Sequence, residues 1–345
     1  MQNTLLSFYF DPDPIAFTVP YFDFEVRWYG ILFALGFILG YFFVERVFFR
    51  MIDGTREILP RDIASMDALK KAVEKMRGVE GETKVREDKA YLGLVNRSLA
   101  SMPGLKTRSD IVKLFPGAVL PTKELASLFT DRLLWFIIAG CIIGARLGHV
   151  LFYDLHYYLA HPAQIFNLRA GGLASHGGAV GVMLGLYAYT ALYRSRFSEI
   201  SFLKLLDVVV VPTALVAFFI RIGNFINQEI LGHPTDMPWG VVFGHPVEGG
   251  GAVARHPVQL YEALFYLFTY VLLLLLANRL KVGRLAGLFF LLVFGSRFVL
   301  EFFKEPQSLV INEHSLLAGQ LLSLPFIALS LYLLLRREAA PAKTE

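Results

Sequence analysis

The chain is poor in the residues that most often staple or activate a protein. One cysteine, Cys141, stands among 345 residues, so no disulfide framework exists. Its mid-helix position reads as a small apolar filler rather than a nucleophile. Lysine and arginine are missing from residues 1–26, which removes the positive start of a cleaved signal peptide. Asp11, Asp13, Asp23 and Glu25 stand there instead, as a short acidic tail suited to translocation ahead of the first helix. The eight histidines fall in no HExxH-type spacing, so no metal site is expected. Phosphate-loop, GxSxG and dinucleotide fingerprints do not stand out, and nothing points to nucleic acid. Charged residues are only 18% of the chain, too few for an ordinary soluble protein.

Hydrophobic sequence is what the chain has in excess. It makes up 55% of the residues, with 31 Phe and 15 Tyr, and mean hydropathy is +0.52. This places the chain in the membrane class, with aromatic rings for lipid-facing surfaces and interfacial belts. Seven apolar segments approach the roughly 20 helical residues that cross a hydrocarbon core of about 30 Å. They lie near 28–49, 131–153, 173–193, 202–223, 257–278, 285–303 and 315–335. Lipid offers backbone N–H and C=O groups no partner, so each is expected to be helical.

The expected fold is therefore an all-α polytopic membrane protein with seven transmembrane helices. Cation placement orients it. With the N-terminus outside, the short inner loops and helix ends carry eleven Lys/Arg, against four on the outer side (Arg27, Arg169, Arg255, Lys304). That asymmetry predicts an external N-terminus and a cytoplasmic C-terminus. The sequence divides into residues 1–50 (tail and first span), 51–130, 131–223 (spans two to four), 224–256, 257–337 (spans five to seven) and 338–345. Segment 51–130 is highly charged, with a helical stretch at DIASMDALKKAVEKMRG and breaks at Pro103, Pro116 and Pro121. It reads as a small cytoplasmic subdomain or a partly ordered insertion, without catalytic duty or as a docking site for a partner. Residues 224–256 are rich in Gly and Pro and predict a small periplasmic loop domain with a short hairpin around Trp239–Phe243. Residues 338–345 read as a disordered tail.

Three arginines sit inside the apolar runs: Arg146, Arg221 and Arg297. A cation at the bilayer centre costs about 2.5–3.5 kcal/mol on insertion scales. Three of them argue for a cavity that takes an anion, and a phospholipid phosphate is the anion at hand. Arg221, Asn224 and Gln228 share one face if the fourth helix continues through them. Arg297 and Glu301 stand at i and i+4, either as a self-neutralising pair or with Glu301 orienting Arg297 for a ligand. Glu262 and Gln259 fall just inside the outer boundary. Arg146, His149 and Tyr153 share a face of the second span, where His149 reads as structural. His176 lies between glycines at the outer start of the third span, an imidazole in an open setting that suits an acid or base. Small-residue stripes mark close helix contacts: Gly36 and Gly40, then Gly140, Gly144 and Gly148, then Gly177, Gly181 and Gly185. Gly144 lies about 160° from Arg146 around the helix, so the arginine is expected to face away from the contact and into a cavity.

At these residues the chain resembles the bacterial prolipoprotein diacylglyceryl transferases. The matching blocks are VRWYGILFALGF (26–37), GARLGHVLFYD (144–154), GGLASHGGAVG (171–181), RIGNFINQEILG (221–232), RHPVQLYEAL (255–264) and FGSRFVLEFFKEPQ (294–307). Their order and spacing fit the family over nearly all of the chain except 51–130. The resemblance implies a seven-helix enzyme of the bacterial inner membrane, without cofactor. It moves the diacylglyceryl group of phosphatidylglycerol onto the lipobox cysteine of a preprolipoprotein signal peptide. It also implies catalytic roles for His176, Arg221 and Arg297. Substrate binding would fall to Arg146, Asn224, Glu229, Glu262, Glu301 and Tyr29. Two features depart from the family pattern. The loop between the first two spans is about 80 residues where a short one is usual, and GGAVG follows His176 where bulkier aliphatics are expected. A transporter for an anionic lipid or metabolite would also use buried arginines, but it predicts two related halves with broken helices. A membrane scaffold gives no reason for His and Arg to gather at one depth.

Overall fold

The computed structural model describes residues 8–55, 57–77, 88–102, 104–152, 154–167, 172, 174–193, 200–247, 249, 253–305 and 318–336. Tyr153 and the expected disordered tail at 338–345 lie outside these residues, as does the side chain of His176. The chain divides into two units, residues 41–205 and residues 1–40 with 206–345.

Helix dominates, as expected, but the fold is not purely α. In chain order, strands β1 (Phe8–Phe10), β2 (Ile15–Val19) and β3 (Phe24–Arg27) precede helix α1 (Trp28–Asp53). Then come α2 (Met66–Arg77), α3 (Asp88–Ala100), α4 (Arg108–Leu114), α5 (Thr122–Phe152), α6 (Leu155–Ala160), α7 (Ser175–Tyr193) and α8 (Phe202–Ile226). Strands β4 (Val241–Phe243) and β5 (Ala254–Arg255) lead into α9 (Val258–Leu276), α10 (Arg284–Leu300) and α11 (Ala318–Leu335). Five helices are long and apolar enough to cross a membrane: α1, α5, α8, α9 and α10. Two shorter apolar helices, α7 and α11, stand where the third and seventh spans were expected. These helices turn large apolar side chains outward, among them Ile38, Phe42, Trp135, Ile143, Leu184 and Leu264. So much exposed hydrocarbon suits lipid rather than water.

In the unit of residues 41–205, α5 and α7 approach closely along their glycines. A methyl group at Gly177 would fall 2.8 Å from the Gly148 Cα, and one at Gly144 would fall 2.7 Å from the Gly181 Cα. No larger residue fits between the two backbones. α5 begins at Thr122, well before the expected 131. Its first turns are amphipathic rather than apolar throughout, and they bury Leu125, Ala126 and Phe129. Segment 51–130 has a core of its own, in which Leu69, Val73, Tyr91, Val95, Ile111 and Phe115 are buried together. Its helices supply that core from amphipathic faces. Asp62 and Arg108 make a buried ion pair at 2.7 Å, and Arg108 Nη2 also donates to the Leu120 carbonyl at 2.8 Å. Burial pushes the Arg108 guanidinium below its usual range, against the opposing pull of Asp62. Thr107 caps α4 in a reciprocal box with Asp110.

In the other unit, α1 meets α8 through Gly36, set against Val216 and Phe219, and Gly40, set against Pro212. α10 packs on both α9 and α11. The expected hairpin around Trp239–Phe243 gives way to a longer-range sheet. β4 pairs parallel with β1 (Phe8 opposite Val241) and antiparallel with β5. Phe10 stacks on Phe225 at 4.2 Å, beside Phe243, which closes a small core beneath this sheet. Strands β2 and β3 form a separate two-stranded ribbon.

Candidate active site

The end of α8 and the turn after it hold the densest polar cluster. α8 stops at Ile226, because Gln228 and Ile230 adopt left-handed backbone conformations, φ 55° and 59°. Gln228 therefore does not share a face with Arg221 and Asn224, contrary to the expectation from spacing. Its side chain turns to the amino-terminal strands. Gln228 Nε2 donates to Asp11 Oδ1 at 3.0 Å, and its Oε1 accepts from the His245 backbone N–H at 2.7 Å. His245 Nδ1 also meets Asp11 at 2.7 Å. These hydrogen bonds from His245 and Gln228 hold the Asp11 carboxyl below its ordinary range. No local pattern announces this node, because Asp11 lies more than 200 residues before Gln228 and His245.

Arg221 keeps the company that its motif implied. Its Nε lies 2.9 Å from Glu262 Oε2, a carboxylate with no solvent exposure. Its Nη1 donates to Asn224 Oδ1 at 3.1 Å. Asn224 Nδ2 donates in turn to Glu229 Oε1 at 2.7 Å, and Asn227 Nδ2 reaches the same oxygen at 3.3 Å. Asn224 is thus a link between Arg221 and Glu229, with one amide hydrogen committed, rather than a donor held open. Gln259 Nε2 donates to the Glu229 carbonyl at 2.7 Å and fixes the turn to α9. Tyr29, at the start of α1, lies against Gly223, where a methyl group would meet its ring at 2.7 Å.

α10 supplies the other half of the cluster. It ends at Leu300, and residues 301–303 form a 3₁₀ turn. Side chains at i and i+3 eclipse in a 3₁₀ turn. Glu301 therefore faces Lys304, at 3.4 Å, and no Arg297–Glu301 ion pair forms. The expectation that Glu301 orients Arg297 is corrected by this pairing: the Glu301 N–H still donates to the Arg297 carbonyl as in an α-helix, but its carboxylate goes to Lys304. Lys304 Nζ also donates to Glu262 Oε1 at 2.8 Å. The result is a buried chain of alternating charge, Arg221–Glu262–Lys304–Glu301. Lys304 was missed because the positive-inside count treated it as an outer surface cation. Its i+3 spacing from Glu301 was the available signal. Tyr266 is buried beside Arg221 and Glu262 and stands within electrostatic reach of Arg297. Arg297 itself is half-buried and makes no ion pair or side-chain hydrogen bond among the described residues. The four linked charges cancel, Glu229 is held by the neutral amides of Asn224 and Asn227, and Arg297 is the cation of the cluster without an ion-pair partner among the described residues.

The remaining two expected residues belong to the other unit. Arg146 is buried, but its donors are spent on backbone carbonyls. They reach Ile165 at 2.7 Å, Gln164 at 2.6 Å, Asn167 at 3.1 Å and Gly172 at 3.1 Å. Its guanidinium also lies over the Tyr158 ring, 5.0 Å from the centroid. The expected role as an anion ligand facing a cavity does not match these partners. They make Arg146 the clamp on the segment between α6 and α7. His149 meets Asp154 at 3.4 Å and packs edge-on to Tyr158, as a structural histidine would. His176 stands in the first turn of α7, one residue before the Gly177 that seats α7 on α5. Cys141 is exposed beside Gly178 of α7, not buried as a core filler.

Among known proteins, a family model described as "Prolipoprotein diacylglyceryl transferase" matches residues 116–336. A phosphatidylglycerol–prolipoprotein diacylglyceryl transferase of Protochlamydia amoebophila is 38% identical over 361 residues, covering 98% of this chain and 96% of the relative. Proteins of the same name from Tolumonas auensis and Porphyromonas gingivalis are 46% and 42% identical, over 62% and 64% of this chain and 80% and 81% of theirs. With the RIGNFINQE turn, the buried glutamate of QLYE and the arginine of α10 assembled in one unit, and the Protochlamydia relative matching nearly end to end, the chain belongs to the prolipoprotein diacylglyceryl transferase family.

Proposed function

We infer that this chain transfers the diacylglyceryl group of phosphatidylglycerol to the lipobox cysteine thiol of a preprolipoprotein, forming a thioether and releasing glycerol phosphate. The names of its relatives support the reaction. The observation that carries the site is Arg297, half-buried in an apolar helix without an ion-pair partner among the described residues, while the neighbouring Arg221, Glu262, Lys304 and Glu301 pair with one another.

A thiol of ordinary pKa, about 8.5, is mostly protonated at neutral pH, and the thiolate is the nucleophile. His176 is the proposed base that takes the thiol proton. The thiolate then attacks the glycerol carbon that bears the phosphate ester. A C–S bond forms, the C–O bond breaks, and glycerol phosphate leaves with the electron pair on its oxygen. Arg297 binds the phosphate and stabilises that growing charge. Arg221 presents its remaining N–H groups to the same phosphate, held in place by Glu262 and Asn224. Glu229 and Tyr29 shape the other side of Arg221, and Glu301 stays with Lys304. The chemistry needs no metal or diffusible cofactor.

The proposed setting is the bacterial inner membrane, crossed by seven helices: the five long ones together with α7 and α11. The cation asymmetry supports an external amino terminus, a cytoplasmic carboxyl terminus and a cytoplasmic 51–130 subdomain. The β1–β4–β5 sheet and its loops then form the periplasmic domain. The test is an assay of purified protein in detergent with phosphatidylglycerol and a lipobox peptide, read as glycerol phosphate release. Release no greater than with a peptide lacking cysteine refutes the reaction. A His176→Ala variant with near-normal turnover refutes the base and leaves the rest standing.

A further inference from the structure

We propose that Lys304 is a positioning residue that keeps Arg297 available by holding Glu301 away from it. The inference rests on the reading that Arg297 binds the substrate phosphate.

Arg297 and Glu301 stand one α-helical turn apart, with the Glu301 N–H donating to the Arg297 carbonyl, so their side chains are placed to meet and neutralise each other. Three features of the chain prevent this. α10 tightens into a 3₁₀ turn at Glu301, which brings residue 304 over residue 301. Lys304 is itself fixed by backbone pairing. Residue 304 bridges Gly232, the Glu305 N–H donates to the Leu231 carbonyl at 3.1 Å, and the His233 N–H donates to the Phe303 carbonyl at 2.8 Å. Its ammonium then takes Glu262 at 2.8 Å and Glu301 at 3.4 Å at once, with almost no solvent exposure. From the far side, Gly319 of α11 leaves room for the Glu301 carboxylate, which a methyl group at that position would overlap.

Charge counting gives the arrangement its sense. Without Lys304, two buried carboxylates, Glu262 and Glu301, would face one arginine, Arg221. The uncompensated carboxylate would seek the nearest free cation, which is Arg297 four residues away. A buried charge without a partner is costly enough to enforce such a switch. With Lys304 present both carboxylates have an ion-pair partner, and the Arg297 guanidinium is left for an external anion.

The experiment measures KM for phosphatidylglycerol and kcat in a double-mutant cycle of Lys304→Gln and Glu301→Gln, with Lys304→Arg as the conservative variant. Lys304→Gln is expected to raise KM by about ten- to a hundredfold, the span of one charge-assisted contact. Lys304→Arg is expected to restore KM to near the wild-type value. In the Glu301→Gln background, the Lys304→Gln penalty is expected to fall by about threefold or more, as for coupled neighbours in one network. That background removes a matched pair of buried charges and so tests the idea even where Lys304→Gln alone folds poorly. An equal penalty in both backgrounds, or a Lys304→Arg variant as impaired as Lys304→Gln, overturns the proposal. Wild-type protein that releases no glycerol phosphate refutes the transfer reading instead, so the two failures are distinct.

Discussion

Arg146 and Arg297 are the same residue type in apolar helices, and their surroundings divide their work. Arg146 is saturated by four carbonyls and an aromatic face. Arg297 has no such partners among the described residues. Sequence alone treated them alike, because hydropathy reports that a cation is buried and not what satisfies it. The difference is measurable. Arg146→Gln leaves several buried carbonyls unpaired, at about 1–3 kcal/mol for each orphaned group. It is expected to lower thermal stability by at least about 2 kcal/mol while KM for phosphatidylglycerol in the folded protein stays close to the wild-type value. A stable variant with a sharply raised KM would return Arg146 to the headgroup. Asn224 teaches the same lesson. Its place in the motif was legible, but its bond to Glu229 depends on a turn whose left-handed residues, Gln228 and Ile230, carry no glycine to announce them.

Elements were most legible where one physical signal dominates. The apolar runs located seven helices to within a few residues at most ends. The glycine stripes marked faces of close helix contact without naming the partners, and the structure sets those of α5 and α7 against each other, because only small residues let backbones come so near. Gly181→Leu is expected to push α7 off α5, cost more than the roughly 1–3 kcal/mol of ordinary overpacking, and abolish activity through loss of folded protein. Thermal unfolding in detergent checks this, and a variant as stable as wild type would show that the glycine contact does not matter. The start of α5 was misplaced because its first turns alternate charged and apolar residues at helical period, so an apolar-run criterion discards them. A strand was expected around Trp239–Phe243, where β4 stands, but the amino-terminal strands were missed for another reason. β1 pairs with β4, more than 200 residues further along the chain, and no local pattern specifies that register.

At the scale of the whole molecule, the cation asymmetry gives the account its topology. On a Cys141→Ser background, a cysteine at Val247 is expected to react with a membrane-impermeant maleimide in spheroplasts. A cysteine at Met76, in the 51–130 subdomain, is expected to react only after permeabilisation; both native side chains are exposed. The reverse pattern would invert the orientation. That subdomain buries its own core, so its folding does not draw on lipid. The chemistry rests on a smaller foundation, a chain of four mutually paired charges beside one guanidinium without an ion-pair partner among the described residues. Its most direct test is the dissociation constant of phosphatidylglycerol for wild-type and Arg297→Gln protein in the same detergent. The account expects Arg297→Gln to weaken binding by about ten- to a hundredfold, the worth of one charge-assisted contact, with the thermal midpoint unchanged. Equal affinities would contradict it.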